Sequence, residues 1–135
     1  MVKVYNYSRH ELTKDQLELL KEAIGEFEVS KPLNPTFRDG RHLKEEIQDK
    51  TVSLVAPFNL FFDALLEGLT ANIISWHADI EARKKGYFAT NKCTIYFIAE
   101  GEVVARRTYT LNHKPTEAVD FRTGEKRNYS EVVGS

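Results

Sequence analysis

Polar and apolar residues along the chain follow the periods of strands and helices in turn. Residues 2–7 alternate β-forming and polar side chains, as a strand does, and they stop at a polar cluster. Thr13 with Gln16 three residues later is a capping-box pattern, and it predicts a helix over residues 14–24 that ends at Gly25. The chain is therefore expected to open as a strand followed by a helix.

The alternation of strands and helices continues to residue 110. Residues 31–40 contain two prolines and a glycine, which predicts a loop. The next helix, over residues 42–48, is expected to turn only Leu43 and Ile47 inward, and residues 51–56 are apolar enough for a central strand covered on both faces. The other predicted elements are a strand over 27–29, an apolar helix over 60–69, a strand over 72–76, a charged segment over 77–91, and strands over 93–99 and 103–110.

This order of elements predicts the fold class. Right-handed crossovers convert strand, helix, strand, helix into a parallel sheet sandwiched by helices. The last two strands are joined at Glu100 and Gly101, which favours a hairpin. We expect an α/β fold with a Rossmann-like, mostly parallel sheet flanked by helices and a C-terminal β-hairpin. The prediction is one domain over residues 1–135, with a partly irregular tail from about residue 112.

Composition excludes several classes of protein. Hydrophobic residues are 41% and charged residues 29% of the chain, as in folded domains. No apolar run approaches the roughly 20 residues of a membrane span, and the N-terminus lacks a secretory signal, so we expect a cytoplasmic protein without a membrane partner. The single cysteine, Cys93, fits a reducing compartment, and its apolar strand favours packing over catalysis.

Charge is nearly balanced overall but is unevenly distributed. The net charge of −1 does not favour duplex DNA as a partner. Residues 1–76 carry 9 basic and 12 acidic side chains, whereas residues 77–135 carry 10 and 8. The second half of the chain therefore has room for a local anion site.

Polar residues follow two of the predicted strands. Ser8, Arg9 and His10 leave the first strand with a hydroxyl, a cation and an imidazole, a set that suits phosphate recognition, although a polar loop closing a strand is the other interpretation. Pro57 and Asn59 follow the third strand, where Asn59 either caps the next helix or helps to receive a phosphate. Ligands of open α/β sheets bind at such strand ends.

A third group of candidate residues follows the fourth predicted strand. Trp76 and His77 precede a run of charged residues that includes Lys84, and an aromatic ring can stack on a base while cations hold its phosphate. The competing interpretation is a solvated helix face. His77, Asp79 and Glu81 lack the paired spacing of metal ligands, so we expect no metal and no other cofactor.

Two segments resemble a known family. Tyr5-Asn-Tyr-Ser-Arg-His-Glu-Leu-Thr-Lys-Asp-Gln-Leu, over residues 5–17, is similar to the opening of small CRISPR-associated ring nucleases. Leu54-Val-Ala-Pro-Phe-Asn and Ile73-Ile-Ser-Trp-His resemble the second half of that CARF-like domain. The resemblance implies a homodimer that binds cyclic oligoadenylate across its two-fold axis, and that cleaves it without a metal ion.

The resulting functional hypothesis assigns roles to eight residues. The hypothesis is a metal-independent ring nuclease of type III CRISPR antiviral signalling. One alternative is a non-catalytic interaction protein of a phage or defence system that docks through the apolar helix. The other alternative is a different small nucleotide-binding enzyme. The expected catalytic residues are Ser8 and His10, and the expected ligand-binding residues are Arg9, Pro57, Asn59, Trp76, His77 and Lys84.

Overall fold

The computed structural model describes residues 1–32 and 36–134 as strands and helices in close alternation. Residues 33–35 of the predicted loop lie outside this part of the chain. The elements are β1 (Val2–Asn6), α1 (Lys14–Ile24), β2 (Phe27–Ser30), α2 (Gly40–Ile47), β3 (Thr51–Ser53), α3 (Phe58–Leu66), β4 (Ala71–Ala78), α4 (Ile80–Lys84), β5 (Tyr87–Phe88), β6 (Thr90–Ala99), β7 (Glu102–Thr110), β8 (Glu117–Asp120), β9 (Lys126–Asn128) and α5 (Tyr129–Val133).

The strands form a mixed six-stranded sheet flanked by helices and a second, three-stranded sheet. The larger sheet has the order β2-β1-β3-β4-β6-β7, and β1 to β4 run parallel to one another. The smaller sheet has the order β5-β8-β9 with antiparallel pairs. The predicted α/β class with flanking helices is therefore confirmed.

Strand order in the larger sheet reverses between β1 and β3. From β1 the chain passes to β2 on one side, and from β2 it returns to β3 on the other side of β1. The last residues of these strands are partners in the register, Asn6 opposite Ser53. In open α/β sheets the crevice beyond the carboxyl ends of two such strands is the usual ligand position. The segments that follow Asn6 and Ser53 are therefore the first place to look for a site.

The chain forms two compact units. The first comprises residues 1–8, 26–75 and 95–107, and the second comprises residues 9–25, 76–94 and 108–135. In the first unit, Leu43 and Ile47 of α2 pack with Val52, Ala64 and Leu69 in one buried cluster. In the second unit, a smaller cluster is made by Ala82, Ala89, Ala118 and Tyr129. The prediction of a single domain stays a prediction.

A glycine permits the close approach of α2 and α3 in the first unit. A Cβ atom at Gly40, the first residue of α2, would overlap the Asp63 Cβ and lie 2.8 Å from the Ala64 backbone nitrogen. Any larger residue would therefore push the two helices apart. This contact holds α3 beside α2 and fixes where the chain leaves β3.

Helix positions and the inward residues of α2 agree with the sequence. The helix predicted over residues 14–24 has those bounds, Thr13 and Gln16 form the capping box, and Gly25 ends the helix at φ +78°. Leu43 and Ile47 are the fully buried apolar residues of α2, as predicted. The strand predicted to be central, β3, lies between β1 and β4.

Several boundaries and burial predictions are wrong. The third strand stops at Ser53, and Val55 beyond it is 80% exposed. The apolar helix begins at Phe58 and ends at Leu66 rather than spanning residues 60–69; Ala64 is its buried residue, and Phe58 and Leu66 are 75% and 81% exposed. Elements also occur in two segments that show no apolar periodicity, α4 and β5 within residues 77–91 and β8, β9 and α5 after residue 112.

Within the described residues, no helix has the length and hydropathy that crossing a lipid bilayer requires.

The capping box of α1 gives a direct test of the local structure. Thr13 is buried, its Oγ1 accepts from the Gln16 N–H at 3.2 Å, and its own N–H donates to Gln16 Oε1 at 2.8 Å. Replacing Thr13 by Ala removes the side-chain acceptor and should lower the free energy of unfolding by about 1 kcal/mol. Urea denaturation followed by circular dichroism measures this change. Thr13→Ser keeps the oxygen and is the matched control, so equal losses in both variants would contradict the capping account.

Candidate functional site

The turn that follows β1 is built by Asn6. This buried side chain accepts from the Ser8 N–H at 3.0 Å and from the Ser8 hydroxyl through the same oxygen, Oδ1. Such a bond to the residue two positions on is an Asx turn, which bends the chain immediately after the strand. The Tyr7 N–H donates to the Ser53 carbonyl at 2.8 Å and ties this turn to the end of β3. Ser8 therefore leaves the strand in a fixed direction.

Tyr7 and Glu46 form the neighbouring polar contact in the first unit. The Tyr7 hydroxyl donates to Glu46 Oε1 at 3.2 Å. Burial, followed by the nearby Glu46 carboxylate, raises the pKa of Tyr7 far above its usual value. Tyr7 is therefore a neutral phenol at any physiological pH, which makes it a structural donor to Glu46.

Arg9 and His10 belong to the second unit. Arg9 is exposed, whereas His10 is half-buried. The His10 ring packs against Gly124 so closely that a Cβ there would lie 2.8 Å from Cε1 and from Nδ1. Gly124 has φ +76°, a conformation that favours glycine, and it lies in the turn between β8 and β9. The turn therefore covers one face of the imidazole.

Pro57 and Asn59 do not take the positions expected from the sequence. The helix begins at Phe58, its N-cap residue is Pro57, and no side chain makes a capping bond there. The capping role expected for Asn59 is therefore wrong, because Asn59 lies inside the first turn and is exposed. Pro57 holds its φ near the helical value and takes the N-cap position, two residues before Asn59.

Trp76 and His77 line a cleft in the second unit. Trp76 was expected to end the fourth strand and His77 to follow it, but β4 continues to Ala78 and contains both of them. The cleft has a volume of about 600 Å³, which is the size of small-molecule sites. Its remaining lining residues come from the end of β4, α4, β5, the start of β6 and the turn after β8: Ala78, Ile80, Arg83, Phe88, Asn91, Lys92 and Phe121.

The lining of the cleft combines aromatic rings with positive charge. Trp76, Phe88 and Phe121 supply the rings, and Arg83 and Lys92 supply the cations. Among the described residues, none that lines the cleft is acidic. The side-chain oxygen of Asn91 is buried and accepts no hydrogen bond from the described part of the chain. The cleft therefore offers flat apolar surface and attraction for an anion.

Two sets of hydrogen bonds fix the walls of this cleft. His77 Nε2 is hydrogen-bonded to Thr94 Oγ1 at 3.0 Å, and that oxygen is bonded to Thr108 Oγ1 at 3.0 Å. The second set is made by Asp79, whose Oδ2 accepts from the Ala82 N–H at 3.1 Å. These bonds hold the imidazole against β6 and cap the helix that carries Arg83.

Lys84 lies on the exposed side of α4 and pairs with Glu81 at 3.8 Å. It is absent from the lining of the cleft, to which Arg83 contributes instead. The sequence hypothesis names Lys84 rather than Arg83, and it does not include Phe88, Lys92 or Phe121. Phe88 and Lys92 follow β4 in a segment interpreted as charged surface, and Phe121 follows the unpredicted strand β8. The glycine turn at Gly124 is the one sequence signal that marks this last region.

Titratable side chains gather at one further place in the second unit. Among the described residues, donor atoms of Asp15, Glu18 and His113 lie within 4.8 Å of one another. Asp15 is buried and already accepts from the backbone N–H groups of Thr116 and Glu117. Its hydrogen bonds attach α1 to the start of β8, so we interpret the group as structural. The expectation that no metal is bound stays a prediction.

Comparison with known proteins gives no relative: no family model, curated protein or solved structure matches this chain.

Cys93 lies buried in β6, which agrees with the packing role that the sequence favours. The side chain is fully buried, and burial, with a smaller effect of Glu22, raises the pKa of the thiol to about 11. A shift of this size leaves roughly 100-fold less thiolate at pH 8 than an ordinary cysteine has.

We therefore expect Cys93 to react with a disulfide reagent at pH 8 at least about 100-fold more slowly in the folded protein than in urea. Because the chain has one cysteine, the absorbance of the released thiol reports on this position alone. A folded-state rate equal to that of the unfolded chain would show that Cys93 is accessible.

Proposed function

We propose that the protein is a metal-independent ring nuclease that binds and cleaves cyclic oligoadenylate in antiviral CRISPR signalling. The observation that carries the proposal is the polar turn of Ser8, held by Asn6, at the reversal of strand order beside Ser53. The resemblance of residues 5–17 to ring nucleases supports the choice of ligand. In this proposal the parallel strands are Rossmann-like and β6 and β7 are the C-terminal hairpin.

The proposed cleavage uses the ribose hydroxyl of the ligand and side chains of this protein, without a metal ion. The ribose 2′-oxygen attacks the adjacent phosphorus in line, the bond from phosphorus to the 5′-oxygen breaks, and the products are a 2′,3′-cyclic phosphate and a 5′-hydroxyl. One proton leaves the 2′-hydroxyl and one reaches the departing 5′-oxygen. We assign proton transfer to His10, a hydrogen bond to the reacting phosphate to Ser8, and stabilisation of its charge to Arg9.

The other proposed contacts with the ligand follow the sequence hypothesis. Trp76 and His77 belong to the aromatic and cationic cleft, whose lining is suited to a nucleotide. The proposed ligand-binding set is Arg9, Pro57, Asn59, Trp76, His77 and Lys84.

A dimer is part of the same proposal, and α3 is its contact surface. Phe58, Phe62 and Leu66 are 75%, 49% and 81% exposed and follow one another at four-residue intervals. Phe58 and Phe62 are in edge-to-face contact, 4.9 Å between ring centres. We name this set the α3 stripe. Residues repeating every ~6 Å along a helix suit a second copy of the same helix in a two-fold contact.

The second candidate function is a non-catalytic interaction protein, and the exposure of the α3 stripe favours it. In this case the stripe would bind a different protein rather than a second copy of this chain. It predicts a monomer that neither binds nor cleaves a cyclic oligoadenylate, so the two experiments below discriminate between the candidates.

Cleavage of cyclic tetra-adenylate is the first test of the proposal. The wild-type protein should cleave it equally well with and without EDTA. His10→Ala should lower the rate about 10²- to 10⁴-fold by removing the proton carrier, whereas Arg9→Ala should weaken binding and cleavage together. His113→Ala removes an exposed histidine elsewhere and is the matched control. Chromatography of the products measures all four proteins.

The ring-nuclease proposal fails if the wild-type protein leaves the ring intact or if EDTA abolishes cleavage. It also fails in its choice of residues if folded His10→Ala cleaves at the rate of the His113→Ala control.

The α3 stripe is tested by light scattering at micromolar concentration. The wild-type chain should have twice the mass of the 15.5 kDa chain, and Phe62→Glu should convert it to a monomer by burying a charge in the contact. Val104→Glu places the same charge on an exposed apolar position of β7 and should leave the dimer intact. A monomeric wild-type protein would contradict the dimer and favour the interaction protein.

A further inference from the structure

The cleft of the second unit has the chemistry of a mononucleotide site. We propose that it binds the base and the phosphate of one adenine nucleotide, with the base between aromatic rings and the phosphate on Arg83 and Lys92. The choice of adenine rests on the proposed function, whereas the choice of a nucleotide rests on the cleft itself.

The aromatic part of the lining accounts for the base. Trp76 comes from β4, Phe88 from β5 and Phe121 from the turn that follows β8, so three separate segments bring rings to one cavity. The Phe121 side chain is 53% exposed, and its N–H donates to the Gly86 carbonyl at 3.2 Å, which fixes the backbone beside α4. A ring held half in solvent at the mouth of a cavity suits stacking on a flat ligand.

The cationic part of the lining accounts for the phosphate. Arg83 and Lys92 are both exposed, and the described chain contributes no acidic side chain to the lining that would neutralise them. Lys84, in contrast, is paired with Glu81 outside the cleft. Arg83 and Lys92 therefore give the cleft a positive potential that attracts an anionic ligand.

The protein carries its own reporter for this site. Trp76 is the single tryptophan of the chain, so tryptophan fluorescence, excited selectively over the six tyrosines, reports on the cleft. Titration with AMP should change this fluorescence and saturate. Adenosine and ribose 5-phosphate each lack one half of the proposed contacts and should bind at least about tenfold more weakly. Affinity for AMP should also fall as NaCl is raised, because the phosphate contact is ionic.

A matched pair of variants locates the phosphate contact. Arg83→Ala should weaken AMP binding about tenfold, as measured by calorimetry and by Trp76 fluorescence. Lys85→Ala removes the same charge two residues further on, from an exposed side chain outside the cleft lining, and should bind AMP as the wild-type protein does. Circular dichroism checks that both variants are folded.

Three outcomes would overturn the inference. They are the absence of AMP binding at millimolar concentration, equal binding of AMP and ribose 5-phosphate without a fluorescence change, and equal losses in Arg83→Ala and Lys85→Ala. These results are separable from failure of the proposed function. Cleavage of cyclic tetra-adenylate without AMP binding rejects only the nucleotide site, and AMP binding without cleavage rejects only the ring nuclease.

Discussion

Hydrogen bonds of Asp79 hold the segment of the second unit that carries Arg83, on which the proposed nucleotide site depends. Its N–H donates to the Ala89 carbonyl at 2.7 Å, and its carboxylate accepts from the Ala82 N–H and, at 2.8 Å, from the Tyr129 hydroxyl. One side chain thus caps the short helix α4, joins it to α5 and fixes the chain as it leaves β4. Burial and the bond to Asp79 raise the pKa of Tyr129 to about 12, so this donor stays protonated. Without Asp79, the segment carrying Arg83 would lose its support.

The candidate residues differ in how their polar and charged groups are paired. In the first unit the structure pairs the polar atoms around β1 and β3 internally, since Asn6 orients Ser8 and the Ser53 carbonyl accepts from the Tyr7 N–H. In the second unit, Arg83 and Lys92 belong to a cleft lining to which the described residues contribute no acidic side chain. Paired groups give a rigid frame, whereas cations without a carboxylate in the same lining attract an anionic ligand.

Local signals in the sequence were sufficient for part of this picture. The capping box at Thr13 and the inward pair of α2 depend on neighbouring residues alone, so they were predictable. The extension of β4 through His77 was not, because the imidazole is hydrogen-bonded to Thr94, seventeen residues away, and no local pattern indicates that contact. Phe121 lines the cleft from a charged segment without apolar periodicity, so its tertiary contact has no local signal either. The exposed side of α3 follows from the sequence only as the alternative of docking through the apolar helix, because hydrophobicity alone does not separate a core face from a docking face.

We propose that this chain binds an adenine nucleotide, with contacts at Trp76 and at the residues that follow β1. Titration of the ¹⁵N-labelled protein with cyclic tetra-adenylate, followed by nuclear magnetic resonance, tests this binding, because Trp76 gives the single indole N–H signal of the chain. We expect this signal and the backbone signals of Arg9 and His10 to shift together and to saturate at one ligand concentration. An unchanged indole signal and unchanged Arg9 and His10 signals at saturating ligand would contradict it.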